Sequence, residues 1–128
     1  MAGAALADTS RTLIIYDSSN SMWAEMGDGE RRYEAGRSAV ADALAVGLDG
    51  RQVGLRAYGH RFKQDCTDTE LLVPFGAAST ENPAIQTAVE GIRPTGKTPI
   101  TRSLIAGLED LEGQGTILLV TDGIETYD

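Results

Sequence analysis

Five side chains with oxygen donors stand at three places in the sequence and would form one site if the fold brought them together. Asp17, Ser19 and Ser21 are spaced by two, and Thr98 and Asp122 follow much later. The set offers two carboxylates and three hydroxyls, with no His or Cys among them. Oxygen ligands suit a hard cation, and the low carboxylate content favours Mg²⁺ or Mn²⁺ over Ca²⁺. These residues therefore predict a metal site.

The chain between these residues alternates between strand and helix patterns. Short apolar runs predict strands over 12–16, 53–58, 71–73 and 116–120, the third of them stopped by Pro74. Helical spacing predicts one helix over 32–48 and a second that begins at Ser79 to Asn82 with Pro83 in its first turn. A third helix begins at Pro99 and places Ile100, Leu104, Leu108 and Leu111 on one face.

This alternation predicts an α/β fold, an open, doubly wound and mostly parallel sheet with helices on both faces. Sites in such sheets lie at the carboxyl ends of the strands. The turn at 17–21, the loop before Pro99 and the segment at Asp122 all fall at such positions. The fold therefore supplies a reason for the five donors to meet.

Length, charge and cysteine content exclude several classes of protein. The 128 residues suit one domain, and 11 basic against 19 acidic residues give a net charge of −8. This charge excludes nucleic acid as a partner, since such binding depends on Lys and Arg. No apolar run approaches the roughly 20 residues of a membrane span. One cysteine, Cys66, excludes an internal disulfide and leaves open whether the thiol is free or cross-links chains.

Three segments together resemble the von Willebrand factor type A domain. They are Leu13-Ile-Ile-Tyr-Asp17-Ser-Ser19-Asn-Ser21-Met-Trp23, then Thr95-Gly-Lys-Thr98-Pro-Ile100, then Leu118-Leu-Val-Thr-Asp122-Gly123. The first contains the D-x-S-x-S signature of the metal-ion-dependent adhesion site. The segment Gly54-Leu-Arg-Ala-Tyr-Gly-His-Arg61 is similar to bacterial, often exported members. The resemblance covers nearly the whole chain from about Arg11.

The resemblance implies a metal-dependent adhesion function without catalysis. It implies that Ser19, Ser21 and Thr98 are direct ligands of Mg²⁺ or Mn²⁺, and that Asp17 and Asp122 act through water or as switching ligands. An Asp or Glu carboxylate from a partner protein would complete the coordination. It also implies an exported bacterial protein, periplasmic or extracellular.

The sequence departs from the family pattern in ways that carry further expectations. Asn20 stands where glycine is usual, and we expect it to tolerate a positive φ there. The exported relatives tend to have a cysteine near Thr126, which is absent here, so Cys66 is expected to be a free thiol. The family sheet has the strand order 3-2-1-4-5-6, and this sequence stops at Asp128 after the fourth strand. We therefore expect residues 11–128 to form a domain without the last two strands, which self-associates or swaps through an exposed fourth strand.

Two other functions and several smaller alternatives stay open at this stage. The chain could be a phosphoaspartate phosphatase or receiver domain with Asp17 as nucleophile, although Ser19 stands where such phosphatases have aspartate. It could also be a structural module with a vestigial site. Residues 1–10 are expected to be a flexible segment, either the end of a signal peptide or tag, or ordinary small-residue sequence. Trp23 would either pack over the sheet or contact a partner, and His60 is expected at the surface.

Overall fold

The computed structural model describes residues 11–46, 51–61 and 67–121. Residues 1–10, Cys66, Asp122 and the predicted end of the first helix at 47–48 lie outside the described residues. The elements are the strands β1 (Arg11–Asp17), β2 (Gln52–Tyr58), β3 (Thr69–Ala77) and β4 (Thr116–Val120), and the helices α1 (Arg32–Val46), α2 (Ala78–Gly91) and α3 (Ile100–Asp110). One turn of 3-10 helix, Asn20–Trp23, follows β1.

The four strands form one sheet in the order β3-β2-β1-β4. β1 is parallel to β2 and to β4, and β3 is antiparallel to β2. Asp17 pairs with Tyr58 and Tyr16 with Val120, so the carboxyl ends of the three parallel strands lie at the same edge. The predicted open and mostly parallel α/β sheet is confirmed, and this edge is the one at which a site is expected.

Helices cover both faces of the sheet, as predicted for a doubly wound fold. β1 is buried on both sides because its successive side chains alternate between the two faces. On one face, Ile14 and Tyr16 pack with Val40 and Leu44 of α1 and with Ile85 and Val89 of α2. On the other face, Leu13 and Ile15 pack with Leu104 of α3 and with Leu111. Burial of this continuous apolar run holds β1 at the centre of the domain.

Strand β3 is longer than predicted, because Pro74 does not end it. The strand continues to Ala77, and its register against β2 shifts on either side of Leu55. Val53 pairs with Gly76 and Leu55 with Val73, so the ladder bulges around Pro74. A bulge absorbs a residue that has no N–H to donate, which explains why the expected stop was wrong.

Two details of the helices also differ from the prediction. α2 begins at Ala78, which places Pro83 inside the helix rather than in its first turn. In α3, Leu108 does not face the sheet with Leu104 and Leu111, since 53% of it is exposed. The contact between α3 and the sheet is centred on Gly107, where an added Cβ would lie 3.0 Å from Ile15 Cδ1. This close approach turns Leu108 away from the sheet.

Across the described parts of the chain, none of the helices has both the length and the apolar character needed to traverse a bilayer.

Candidate functional site

The turn after β1 holds Asp17 and Ser19 in one hydrogen-bonded cluster. Asp17 is fully buried, and its Oδ1 accepts hydrogen bonds from the Ser19 backbone N at 2.8 Å and from Ser19 Oγ at 2.5 Å. The Ser18 backbone N donates to the Tyr58 carbonyl at 2.9 Å, which ties the turn to the end of β2. The Asp17 carboxylate is thus held in position by hydrogen bonds within the chain itself.

Ser21 joins the same cluster through the 3-10 turn. Its Oγ lies 3.0 Å from Ser19 Oγ, so the two hydroxyls face the same space. Asn20 lies in this 3-10 turn, and among the described non-glycine residues only Glu112 has a positive φ. Asn20 therefore does not adopt the positive φ that it was expected to tolerate, because the 3-10 turn places Ser21 next to Ser19 without one.

The loop that carries Thr98 is held against this turn by backbone hydrogen bonds. Asn20 N donates to the Gly96 carbonyl at 2.8 Å, and Thr95 N donates to the Ser18 carbonyl at 2.8 Å. Gly96 N in turn donates to the Gly59 carbonyl at 2.7 Å. Thr98 follows directly and is 1% exposed. The structure thus brings the two predicted segments side by side and buries Thr98 in the second.

Thr121, at the end of β4, also contacts the cluster, and the sequence did not single it out. Its Oγ1 donates to Asp17 Oδ2 at 2.5 Å and accepts from the Tyr58 hydroxyl at 3.1 Å. A hydroxyl directly after an apolar strand, next to a predicted ligand, is the signal that could have found it. Asp122 comes next in the chain and lies outside the described residues, so its predicted role stays a prediction.

The electrostatics of the cluster favour a cation. Asp17 is completely buried, and within the described ranges no Lys or Arg forms an ion pair with it. A buried carboxylate without a compensating charge is unfavourable. Tyr16 beside it is neutral at physiological pH, because burial raises its pKa from 10.0 to about 12. Asp17 raises this pKa further, whereas Arg37 lowers it.

The donor set fits a hard cation with few carboxylate ligands. The hydroxyls of Ser19 and Ser21 and the carboxylate of Asp17 are all oxygen donors. No group of three or more His, Cys, Asp or Glu side chains that could hold a metal occurs in residues 11–46, 51–61 and 67–121. Oxygen donors of this kind are the ligands that a hard cation takes, as opposed to the imidazole and thiolate ligands of Zn²⁺.

Trp23 connects the 3-10 turn to the loop before Thr98. Its Nε1 donates to the Pro94 carbonyl at 2.8 Å, and its ring meets Tyr33 edge-on at 5.0 Å. Arg31 donates to the Trp23 carbonyl at 2.7 Å and lies over the indole ring. Trp23 therefore packs against α1 and this loop rather than over the sheet, and its contact with a partner stays a prediction.

His60 is not at the surface, contrary to the prediction. Its side chain is 8% exposed, and its Nε2 lies 2.8 Å from Glu70 Oε1. Its neighbour Asp68 is fully buried and forms an ion pair with Arg61 Nε at 2.7 Å. The antiparallel turn back into β3 brings these side chains together, because Gly59 N donates to the Asp68 carbonyl at 2.9 Å. The segment that supports the site is therefore held by a charged cluster that the sequence did not reveal.

A cavity of about 350 Å³ borders the cluster at the end of β4. Its lining is apolar apart from Arg32 and Thr121, and it consists of Met22, Met26, Arg32, Ala35, Gly36, Ala39, Val120 and Thr121. Thr121 belongs to both the cavity wall and the hydrogen-bonded cluster. A molecule bound in the cavity would therefore contact Thr121, the residue that donates to Asp17.

Sequence comparison relates the chain to a protein of Bacillus subtilis. No protein-family model matches the sequence. The chain is 27% identical over 132 residues to the uncharacterized protein YwmD of Bacillus subtilis (strain 168). The aligned region covers 94% of this chain and 57% of YwmD. The chain therefore spans little more than half of that relative.

Solved structures of pilus proteins have the same architecture. The pilus adhesin SpaC from Lactobacillus rhamnosus GG matches 93% of this chain and 16% of its own, with a TM-score of 0.73 and 24% identity. The vWF domain of the type V pili tip protein Mfa5 from Porphyromonas gingivalis matches 91% of this chain and 38% of the Mfa5 chain, with a TM-score of 0.63 and 18% identity. The chain thus has a von Willebrand factor A-like fold.

Proposed function

We propose that this chain is a non-catalytic protein-binding domain that requires Mg²⁺ or Mn²⁺ to hold its partner. The observation that carries the proposal is the cluster around Asp17, a fully buried carboxylate that joins the hydroxyls of Ser19 and Ser21 in one site. Asp17, Ser19, Ser21 and Thr98 would hold the cation, and Asp122 is proposed as the fifth donor. A bound divalent cation would offer an open position to an Asp or Glu carboxylate of the partner.

The side chains of this chain have distinct tasks in that scheme. Asp17 orients Ser19 through Oδ1 and is itself held by Thr121 through Oδ2. The backbone bonds between the turn and residues 95–96 keep the Thr98 loop in place. Since only Asp17 and Asp122 contribute negative charge, the cation would keep most of its attraction for an external carboxylate. A site fixed in advance in this way loses little entropy on binding.

The neighbouring cavity supports a protein partner rather than a free carboxylate. Its apolar wall includes Met22 and Met26, whose flexible thioethers adapt to different side chains. A partner segment with an apolar residue beside its Asp or Glu would place the carboxylate at the cluster and the apolar side chain in the cavity.

Two observations favour binding over turnover. Ser19 Oγ shares hydrogen bonds with Asp17 and Ser21, and within the described ranges no His or Lys side chain contacts either serine. A nucleophilic serine needs such a base. Both oxygens of Asp17 accept short hydrogen bonds, so a phosphoaspartate reaction would first have to break one of them.

The pilus proteins that share the fold are described as an adhesin and a tip protein, which supports an exported, surface-associated role for this chain as well.

Titration with Mn²⁺ alone tests the metal site. We expect the wild-type chain to bind Mn²⁺ and the Asp17→Asn variant to bind it at least roughly tenfold more weakly, because a metal ligand or its orienting group is lost. Asp42→Asn makes the same change at an exposed position of α1 and should bind like the wild type. Equal Mn²⁺ affinity in all three proteins would refute the metal site.

Synthetic peptides test the partner chemistry. A peptide containing Leu-Glu should bind in Mg²⁺ and lose its affinity in EDTA, whereas its Leu-Gln counterpart should bind weakly in both. Binding of the two peptides that does not differ, or that EDTA leaves unchanged, would contradict carboxylate recognition. Incubation with beryllofluoride provides the test for the enzymatic alternative, since a stable adduct at Asp17 would point to phosphoaspartate chemistry.

A further inference from the structure

The segment around Thr98 is positively charged, although the half of the chain to which it belongs is acidic. Residues 64–128 contain 11 acidic and only three basic residues, and the basic residues all lie at 93–102. They are Arg93, Lys97 and Arg102. The stretch 91–108 contains no Asp or Glu, so the sequence gives these cations no acidic neighbour close by. The proposed ligand Thr98 stands in the middle of this stretch.

The side chains of these three cations are used differently from the other cations of the fold. Across residues 11–46, 51–61 and 67–121, none of the three takes part in an ion pair or a side-chain hydrogen bond. Every other arginine in these ranges has at least one interaction partner. Those arginines are Arg11, Arg31, Arg32, Arg37, Arg51, Arg56 and Arg61. The cations around Thr98 are therefore available to a ligand.

The loop that carries Arg93 and Lys97 is held by hydrogen bonds along its length. Thr95 Oγ1 donates to the Arg93 carbonyl at 2.8 Å, and Trp23 Nε1 donates to the Pro94 carbonyl at 2.8 Å. The backbone bonds of residues 95–96 to the turn at 18–20 hold the positions that follow. A rigid backbone limits the freedom that these two side chains lose when they pair with a ligand.

Lys97 lies close to the Asp17 cluster on its β2 side. A Cβ added at Gly59 would lie 2.5 Å from the Lys97 carbonyl oxygen and 3.1 Å from the Ser19 backbone N, so these two backbone segments meet there. Gly59 follows β2, which lies on the opposite side of β1 from β4. Lys97 is half-buried, and Arg93 is exposed. The two cations thus belong to the part of the site over the ends of β1 and β2, away from β4.

The charges favour a short acidic segment of a protein as the ligand. In an extended segment, residues two positions apart face the same side and are about 6–7 Å apart. An acidic residue two positions from the carboxylate that completes the metal coordination would therefore come within reach of the Lys97 loop. A long polyanion is disfavoured, because it would extend beyond this loop over a chain with a net charge of −8.

We propose that the metal site selects an acidic cluster of its partner, in which one carboxylate completes the coordination of the cation and a second pairs with Lys97. Arg93, which is more exposed, adds a weaker attraction from the same loop. Arg102 belongs to α3 and contributes only to the local positive potential. This inference rests on the proposed function, since a bound cation is needed to hold the first carboxylate.

Two labelled peptides test the selection by fluorescence anisotropy in Mg²⁺ at low salt. The peptide Asp-Gly-Glu-Gly-Asp should bind the wild-type chain roughly tenfold more tightly than Ser-Gly-Glu-Gly-Ser. Lys97→Gln should reduce this preference roughly fivefold and Arg93→Gln roughly twofold. Arg51→Gln is the matched control, because it removes an exposed cation before β2, at the opposite edge of the sheet, and should leave the preference unchanged.

Titration with Mn²⁺ separates the loss of charge from damage to the site. Removing a nearby positive charge does not weaken the attraction for a cation, so Lys97→Gln should bind Mn²⁺ at least as tightly as the wild type. A Lys97→Gln chain that keeps the full preference for the acidic peptide, or that loses Mn²⁺ affinity, would overturn the inference.

The wild-type results distinguish this inference from the proposed function. Equal binding of the two peptides in Mg²⁺ would overturn the inference and leave the proposed function intact. Failure of both peptides to bind in Mg²⁺ would contradict the proposed function, and the inference with it. Polyphosphate that binds more tightly than the acidic peptide would also overturn the inference, because the ligand would then be an extended polyanion.

Discussion

Gly59 lies where three segments of the candidate site meet, and a single methyl group there should push them apart. Its carbonyl accepts a hydrogen bond from Gly96, and its φ is +72°. A Cβ added at Gly59 would lie 2.5 Å from the Lys97 carbonyl oxygen and 3.1 Å from both Cα and N of Ser19. All three atoms belong to the backbone, so they cannot rotate away as the end of a side chain would.

Two contributions set the expected effect of Gly59→Ala on the free energy of unfolding. A left-handed backbone conformation with a Cβ costs about 1–2 kcal/mol. Displacing packed backbone adds about 1–3 kcal/mol. The matched control is Gly29→Ala, because Gly29 has a similar φ of +86° and nothing within 4 Å of an added Cβ. Gly29→Ala should therefore lose only the first contribution.

Urea unfolding followed by Trp23 fluorescence measures both variants, and Mn²⁺ titration measures the site. We expect Gly59→Ala to be less stable than Gly29→Ala by about 1–3 kcal/mol. If the metal site exists, Gly59→Ala should also weaken Mn²⁺ binding roughly tenfold or more, since the Thr98 loop is displaced from Ser19. Equal destabilisation by the two substitutions would refute the reasoning, because it would mean that the three segments are not in close contact at Gly59.

The remaining predictions concern buried polar groups elsewhere in the fold. The pKa of Tyr16, raised to about 12, means that the folded chain keeps this proton after the unfolded chain has lost it. The associated stability is present below pH 10 and is lost as the pH rises to 12, at up to about 1.4 kcal/mol per pH unit. Tyr16→Phe should flatten this decline in urea unfolding, and parallel curves for the two proteins would contradict the assignment. Asp110→Asn should destabilise the chain by about 2–3 kcal/mol, because Arg56 stays largely buried without its anion. Glu112→Gln, which removes an exposed contact of 3.5 Å to Arg11, should change the stability by less than about 0.5 kcal/mol, and a similar loss in both variants would contradict this ranking.

The central strands could be predicted because their residue types alone indicate burial. The run 12–16 is apolar at every position apart from Thr12, and only a strand covered on both faces accommodates such a run. Because parallel strands end at the same edge, the prediction also placed the Asp17 turn and the Thr98 loop together. The backbone bonds between residues 18–20 and 95–96 confirm that these segments lie side by side.

The details that could not be predicted depend on tertiary contacts. Pro74 ends a strand only when its ladder is regular, and the bulge opposite Gly54 removes that condition. Leu108 fits an apolar helical face in the sequence, but the close packing at Gly107 sets the rotation of the helix. The burial of His60 depends on Asp68 and Glu70, which the return of the chain into β3 brings next to it. Spacing along the chain gives no information about any of these contacts.

The hydrogen bond between Thr121 and Asp17 joins residues 104 positions apart. During synthesis, the turn at 17–21 leaves the ribosome long before β4, and a domain built from such distant contacts cannot complete its centre early. The carboxylate of Asp17 thus stays without its Thr121 donor until residue 121 has emerged. Chain fragments released before that point would lack a finished cluster, so the cluster forms only after the chain has been translated through β4.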